Sequence, residues 1–300
     1  MKRVLALGFF DGVHTGHGAL LRTAKARAEA LGATPAVFSF DRPPKEVVFG
    51  TPVALLSSSV EREALIRSLY GINDVLFAPF DDGMRTTLWS DFIDLLIGRF
   101  GAVHLVAGHD FRFGFRNEGT PEKLLRACAE RGIGCDIIPA VTLDGEVVSS
   151  TAIRAMLQAG DVERAVRFLG HPHLITGTVT HGRGVGHSLG APTLNFETDE
   201  HRALPKDGVY AAFVGDERRP ALTNVGTRPT FGGGKRIIET HVLGENAPCY
   251  GDTVSLHLFA RLRDEIAFPD ADSLRRQIER DVRDAEKFFP NAQNDLSFSI

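Results

Sequence analysis

The chain has 300 residues, 43% of them apolar and 24% charged, with a net charge of −4 at pH 7. Such a length suits two domains, since one hydrophobic core rarely grows past roughly 250 residues. The composition excludes a disordered or fibrous chain, the apolar runs fall far short of the ~20 residues of a membrane span, and the slight acidity argues against a nucleic-acid partner.

The first element is a buried strand, Val4–Phe9. Lys2-Arg3 followed by apolar residues mimics the start of a signal peptide, but Asp11 and His14 interrupt the run and no small-residue cleavage site follows. Further strand-length apolar runs are Pro35–Phe40, Asp74–Phe80, Val103–Ala107 and Cys135–Pro139. Helical stretches lie between them: Leu20, Ala24, Ala28 and Leu31 share one face, and Glu61–Tyr70, Leu88–Phe100 and Pro121–Arg131 behave alike. Strands alternating with helices predict an α/β domain with a parallel sheet. The three cysteines include no CxxC pair, which argues against a disulfide framework or a zinc knuckle and for a reducing, cytoplasmic setting.

After a short helix, Asp161–Leu169, the rhythm changes. Leu174–Thr180, Gly208–Val214, Arg219–Val225, Arg236–Leu243 and Thr253–Phe259 read as strands without intervening helices, which predicts an antiparallel barrel or sandwich. A final helix carries the stripe Leu274, Ile278, Val282, Ala285 and Phe289. The expected domains are residues 1–170 and 171–300.

Gly8-Phe9-Phe10-Asp11-Gly12-Val13-His14-Thr15-Gly16-His17 runs off the first strand into the first helix. A helix N-terminus suits a phosphate, the glycines permit close approach, and His14 and His17 supply donors for charge building on a phosphoryl group. Two other readings stay open here: zinc held by Asp11, His14 and His17, and a plain capped helix with exposed histidines. Ser149, Ser150 and Thr151 stand where a helix begins and suit N-caps, yet Arg154 on the first turn opposes the helix dipole unless an anion binds there. Asp110, Phe111 and Phe113 follow the strand Val103–Ala107, at a sheet edge where ligands bind; the two rings also suit a core.

In the second half, His181–Gly190 is a glycine-dense loop that fails the dinucleotide fingerprint, and Gly232-Gly233-Gly234-Lys235 is no P-loop. A flexible hairpin is the plain reading. Thr193 and Asn195 are neutral oxygen donors two apart, able to hold Mg²⁺ and phosphate oxygens. Glu239 is a lone acid among Ile237, Ile238 and Val242, either outward-facing or a general base with a raised pKa.

His14-x-Gly16-His17 after a first strand resembles the HxGH signature of the nucleotidyltransferase superfamily. The longer string Gly8–His17, with Gly108-His109-Asp110-Phe111-Arg112-Phe113-Gly114 and Ser149-Ser150-Thr151-Ala152-Ile153-Arg154, is similar to prokaryotic bifunctional riboflavin kinase/FAD synthetases. In the second half the likeness continues through Gly190–Asn195, Asn224–Phe231, Glu239-Thr240-His241, Tyr250-Gly251 and Leu262–Glu265, so it covers the whole chain. The resemblance implies a Rossmann-like nucleotidyltransferase domain followed by a kinase β-barrel with a C-terminal helix. It also implies a two-step ATP-dependent enzyme: riboflavin to FMN, then FMN to FAD with release of pyrophosphate.

Carried over residue by residue, Gly8, Asp11, Gly16, Ser149, Ser150, Thr151 and Arg154 would bind ATP beside the catalytic pair His14 and His17. Asp110, Phe111, Phe113 and Arg263 would contact flavin. Thr193 and Asn195 would handle Mg-ATP, and Glu239 would take the proton from the ribityl 5′-hydroxyl. The family often has Arg at the place of His187, here expected near phosphate, and Phe at the place of Ala191; Asp41-Arg42-Pro43-Pro44 lacks a histidine that many relatives carry. The implied small molecules are riboflavin, FMN, FAD and ATP with Mg²⁺, and no permanently bound cofactor, nucleic acid or membrane is expected. An enzyme active in one half only, or a flavin-binding module without turnover, are the alternatives.

Overall fold

The computed structural model describes residues 1–180, 193–228, 235–244 and 247–289. These form two compact units, Met1–Ser149 and, from Ser150 on, the rest of the described chain.

In the first unit β1 (Arg3–Leu7), β2 (Thr34–Phe40), β3 (Asp74–Ala78), β4 (Ala102–Gly108) and β5 (Gly134–Ile138) make one parallel sheet in the order β3-β2-β1-β4-β5. β1 is central, so Val4, Leu5, Ala6 and Leu7 are all buried, which is why it reads as an unbroken apolar run. The longer helices are α1 (Thr15–Leu31), α3 (Ser59–Tyr70), α5 (Trp89–Gly98) and α6 (Pro121–Glu130), preceded in two cases by the short α2 (Pro44–Phe49) and α4 (Asp82–Thr86). Leu5, Leu7, Phe38, Ile93, Leu96, Leu105 and Leu124 belong to one core cluster. α3 begins ahead of the expected Glu61 because Ser58 and Glu61 close a reciprocal capping box. α2, α4 and the hairpin β6 (Thr142–Leu143)–β7 (Glu146–Val147) fall where no element was expected; each is too short to show a full hydrophobic period.

The order matters for function. From β1 the chain winds outward through β2 and β3, then returns to the other side of β1 as β4. The segments leaving β1 and β4 therefore part company beyond their carboxyl ends, where Leu7 pairs with Ala107. Open α/β sheets bind ligands in the crevice outside such a switch point.

The second unit opens with α7 (Ser150–Ala159) and α8 (Val162–Leu169). β8 (His173–Thr180), β9 (Leu194–Glu197), β10 (Gly208–Val214), β11 (Arg219–Arg228), β12 (Lys235–Val242) and β13 (Thr253–Arg263) close into an antiparallel barrel in the order β10-β11-β12-β9-β8-β13. Side chains alternate across its wall. Phe213, Leu222 and Phe259 cluster with Ala285 and Phe289, so α9 (Ala271–Glu286) and the turn after it cover that outer face. Val179, Phe196, Val225 and Ile238 point the other way and are buried. Of the expected α9 stripe, Ala285 and Phe289 are buried and Val282 packs beside them, while Leu274 and Ile278 are only half-buried. Among the described residues no helix is long and apolar enough to cross a membrane.

The barrel also carries acid-sensitive histidines. Burial, then Arg202, pushes His173 down to about 3, although its Nε2 bonds the Ala203 carbonyl at 2.8 Å. Burial, then Arg218, takes His257 down to about 4. Both lie below the ~6.5 of an unfolded histidine, so the unfolded chain binds more protons between those values. Stability should therefore stay flat above pH 7 and fall as the pH drops from 6.5 toward 4. Urea midpoints read from barrel NMR resonances check this; His173→Gln should flatten part of the slope.

Candidate functional site

The loop leaving β1 is held in a strained shape. Phe10, Gly12 and Val13 take φ values of 58°, 79° and 41°, a left-handed run that costs most at the β-branched Val13. Phe10 and Val13 are nevertheless buried. The loop is tied from outside: Asp11 Oδ1 accepts from the amides of Leu56 (2.9 Å) and Ser57 (3.0 Å), and Gly12 N donates to Ser57 Oγ at 2.7 Å. Asp11, expected at phosphate, thus spends this oxygen anchoring the loop.

His14 is the N-cap of α1, its Nδ1 accepting from His17 N at 3.2 Å. A neutral His14 bonded this way carries its proton on Nε2. The two rings stack with centroids 3.5 Å apart, and Phe10 meets His17 edge-on at 5.1 Å. Close stacking explains Gly16: a Cβ there would stand 3.1 Å from the His14 ring. Burial, then His14, then Arg62 hold His17 well below the usual histidine range, so it is neutral near pH 7. Its Nδ1 is buried with no hydrogen-bond partner among the described residues. Gly8 lies against the Phe10 ring in the same way, with a hypothetical Cβ at 3.1 Å.

Across the switch point, the loop after β4 begins with His109 N donating to Ile138 O at 2.8 Å. Asp110 is exposed. Phe111 is half-buried and stacks at 5.4 Å on Phe113, which lies in the core against Phe92. Of the two rings expected at flavin, Phe111 is therefore the outer one and Phe113 its backing. The chain just ahead of the third motif passes the first, since the Val148 carbonyl lies 3.4 Å from where a Gly16 Cβ would be. Ser149 ends the first unit; Ser150, Thr151 and Arg154 sit at the start of α7 in the second.

The barrel assembles its own group by register. Asn224 on β11 pairs with Glu239 on β12, Glu239 with Asn195 on β9, and Asn195 with Thr180 on β8. Directly paired residues share a face, so four polar side chains form one row across four strands. The row lies on the same face as Leu222, the one α9 covers farther along. Ile238 and Val242 point to the opposite face while Ile237 shares that of Glu239, so amides flank Glu239 across the strands and Ile237 precedes it along its own. Thr193 stands just ahead of β9, two residues before Asn195. Glu265 extends the row, accepting from Asn224 Nδ2 at 2.9 Å, and lies where a side chain on Gly226 would clash. His187 and the glycine-dense loop around it lie outside the described residues.

Arg263 is engaged from below. Its Nε and Nη2 reach the buried Asp281 carboxylate of α9, the latter at 2.6 Å, and Nη1 donates to the Asp264 carbonyl. Three contributors were not singled out from the sequence: Ser57, Asn224 and Arg62. Only Asn224 had a readable signal, lying within a family-like string. As for the zinc reading, no three His, Cys, Asp or Glu side chains converge to hold a metal among the described residues.

Comparison with known proteins bears on both units. A family model for FAD synthetase matches residues 1–152 and one for riboflavin kinase matches residues 169–289. A bifunctional riboflavin kinase/FMN adenylyltransferase of Pseudomonas fluorescens is 35% identical over 93% of this chain and 90% of its own. The protein of that description from Bacillus subtilis (strain 168) is 34% identical, over 97% and 93%. A crystal structure from Streptococcus pneumoniae, described as a macrolide-efflux protein, matches with a TM-score of 0.85 at 28% identity, covering 95% of this chain and 94% of that one.

Proposed function

The chain belongs to the bifunctional riboflavin kinase/FMN adenylyltransferase family, and from that premise we propose how its residues divide the work. The enzyme phosphorylates riboflavin with ATP to FMN, then transfers AMP from a second ATP to FMN, giving FAD and pyrophosphate. In our reading residues 1–170 serve the second reaction and residues 171–300 the first.

For adenylyl transfer, an FMN phosphate oxygen attacks the α-phosphorus of ATP and pyrophosphate leaves. The nucleophile is already ionised, so the site needs donors and positioning rather than a base. His14 Nε2–H, the N-terminus of α1 and neutral His17 meet the charge growing on the phosphoryl oxygens. Gly8 and Gly16 allow the approach, and Asp11 holds the loop in shape. Ser149, Ser150, Thr151 and Arg154 receive the triphosphate, while Asp110 and Phe111, backed by Phe113, contact flavin.

For phosphorylation, Glu239 accepts the proton of the ribityl 5′-hydroxyl as that oxygen attacks the γ-phosphorus. Thr193 and Asn195 offer neutral oxygens beside a carboxylate, a donor set that suits Mg²⁺ held jointly with ATP. When bound, the ion neutralises charge on the β- and γ-phosphates. Arg263 serves the flavin site by fixing α9 to the barrel; for His187, outside the described residues, the role proposed is ATP-phosphate binding. A cytoplasmic setting fits the three free cysteines.

The observation that carries the reading is the pairing of Glu239 with Asn195, which puts the proposed base and the proposed Mg-ATP residue side by side. Incubation with riboflavin, ATP and Mg²⁺ should yield FMN first and FAD later, with pyrophosphate. A protein that retains FMN and releases no pyrophosphate would be a binder instead.

A further inference from the structure

Arg62 lies on α3, forty-five residues beyond His17 in sequence, with a side chain 1% exposed. Its Nη1 donates to the Phe9 carbonyl at 2.6 Å and to Ser39 Oγ at 2.9 Å, and its Nη2 to the Phe40 carbonyl at 3.0 Å. The fork thus joins the ends of two neighbouring strands, β1 and β2, where the strained loop begins. Ser39 Oγ completes the bracket by donating to Phe9 O at 3.1 Å. The guanidinium also stacks over Phe9 and Phe77, 4.2 Å and 5.0 Å from their ring centroids.

Three features set this residue apart from ordinary packing. Its partners are carbonyls and a hydroxyl, and among the described residues no carboxylate in contact cancels its charge. Its Nε is buried without a partner among the described residues. Buried ions are often replaceable by apolar groups of similar volume without loss of stability, so packing alone gives no reason for an arginine here. Burial lowers it to about 10, against the pull of Asp11 and Asp41, so it stays charged at neutral pH.

We infer that Arg62 is a positioning residue for the adenylyl-transfer reaction, clamping the Phe9–Phe10 turn so that the HxGH helix end meets the phosphates, and placing a fixed positive charge behind them. The inference rests on the proposed role of His14 and His17. The charged and titratable groups around the pair are Asp11 and His14 on the loop and helix cap, Asp41 after β2, and Glu61 beside Arg62 on α3. Glu61 is held in its capping box, its carboxylate accepting from Ser58 N at 2.7 Å. Arg62 is the arginine whose charge acts on His17. Lysine would keep the charge and lose the fork; methionine would lose both.

The test measures FAD formation from FMN, riboflavin phosphorylation, and the His17 imidazole midpoint by NMR, in the full chain. Arg62→Met should lose about 10²-fold in FAD formation, the scale of a small misplacement at a reacting centre, with phosphorylation unchanged. Its His17 midpoint should rise, because a nearby cation no longer opposes protonation. Arg62→Lys should lower FAD formation about tenfold while keeping the His17 midpoint near wild type. A merely structural arginine would cost FAD formation only in proportion to unfolded protein, whatever the midpoint. If Arg62→Met does not fold, Arg62→Lys decides: wild-type FAD formation in that variant overturns the clamp. A wild-type chain that makes no FAD from FMN would instead overturn the underlying reading.

Discussion

Replacing Glu239 by glutamine should lower riboflavin phosphorylation by about 10²-fold or more and leave FAD formation from supplied FMN at the wild-type rate. Glutamine keeps the size of the side chain and can still hydrogen-bond along the row that joins Asn224, Glu239 and Asn195. It cannot take a proton. The barrel should therefore close with unchanged stability, and the loss should appear in kcat with little change in KM for ATP, since Asn195 and Thr193 are untouched. Equal loss of both reactions would sink the assignment, because Glu239 lies in the barrel unit and the adenylyl-transfer motifs begin in the other. Full phosphorylation activity in Glu239→Gln would move the base elsewhere, with Glu265 the next carboxylate along the row.

Removing both histidines, His14→Ala with His17→Ala, should cut FAD formation at least about 10³-fold while FMN still accumulates from riboflavin. Single donors to developing charge are typically each worth 10²- to 10³-fold, hence the expected size. Beside the donor role proposed for it, His14 has a structural job, however: it caps α1. Loss of a cap costs about 1 kcal/mol and could mimic a catalytic defect. Asparagine is a good cap without an imidazole, so His14→Asn separates them: FAD formation should fall while the thermal midpoint holds. If the double variant instead loses a stoichiometric zinc and its first unit unfolds, the histidines are ligands and the transfer chemistry lies elsewhere.

Much of this was readable from the chain itself, for identifiable reasons. β1, β2 and β4 bury both faces and show as compact apolar runs, the edge strands β3 and β5 are half-buried yet still mostly apolar, and the barrel strands show as short runs bounded by turn residues. The order of strands in the sheet was not readable, because it depends on which side of β1 each crossover packs. That order alone brings the Gly8–His17 and Gly108–Gly114 motifs to one crevice. Arg62 was invisible for a different reason: an arginine in an amphipathic helix ordinarily reads as solvent-facing, and nothing local says that two strand ends wait to receive it. Arg263 was placed at flavin by likeness, whereas Asp281, hidden in a helix that reads as charged, holds its guanidinium. Glu239 looked set wholly among aliphatic residues because Ile238 and Val242, near it in sequence, face the other side of the strand, and the amides beside it come from other strands.

The row across β8, β9, β12 and β11 has a consequence for how this barrel can err. Residues along a strand alternate between faces, so a slip of one position in β12 would swap Glu239 for Ile238 without changing how apolar the strand is overall. Such a chain could still collapse and pass any test of compactness, yet it would be catalytically blank. Closure guards against this: β12 is hydrogen-bonded on both sides, to β11 and β9, and a shift would have to pass round all six strands before the ring could shut. The barrel thus works like a reading frame, in which one misplaced letter spoils the whole sense, and its circular form is the proofreading.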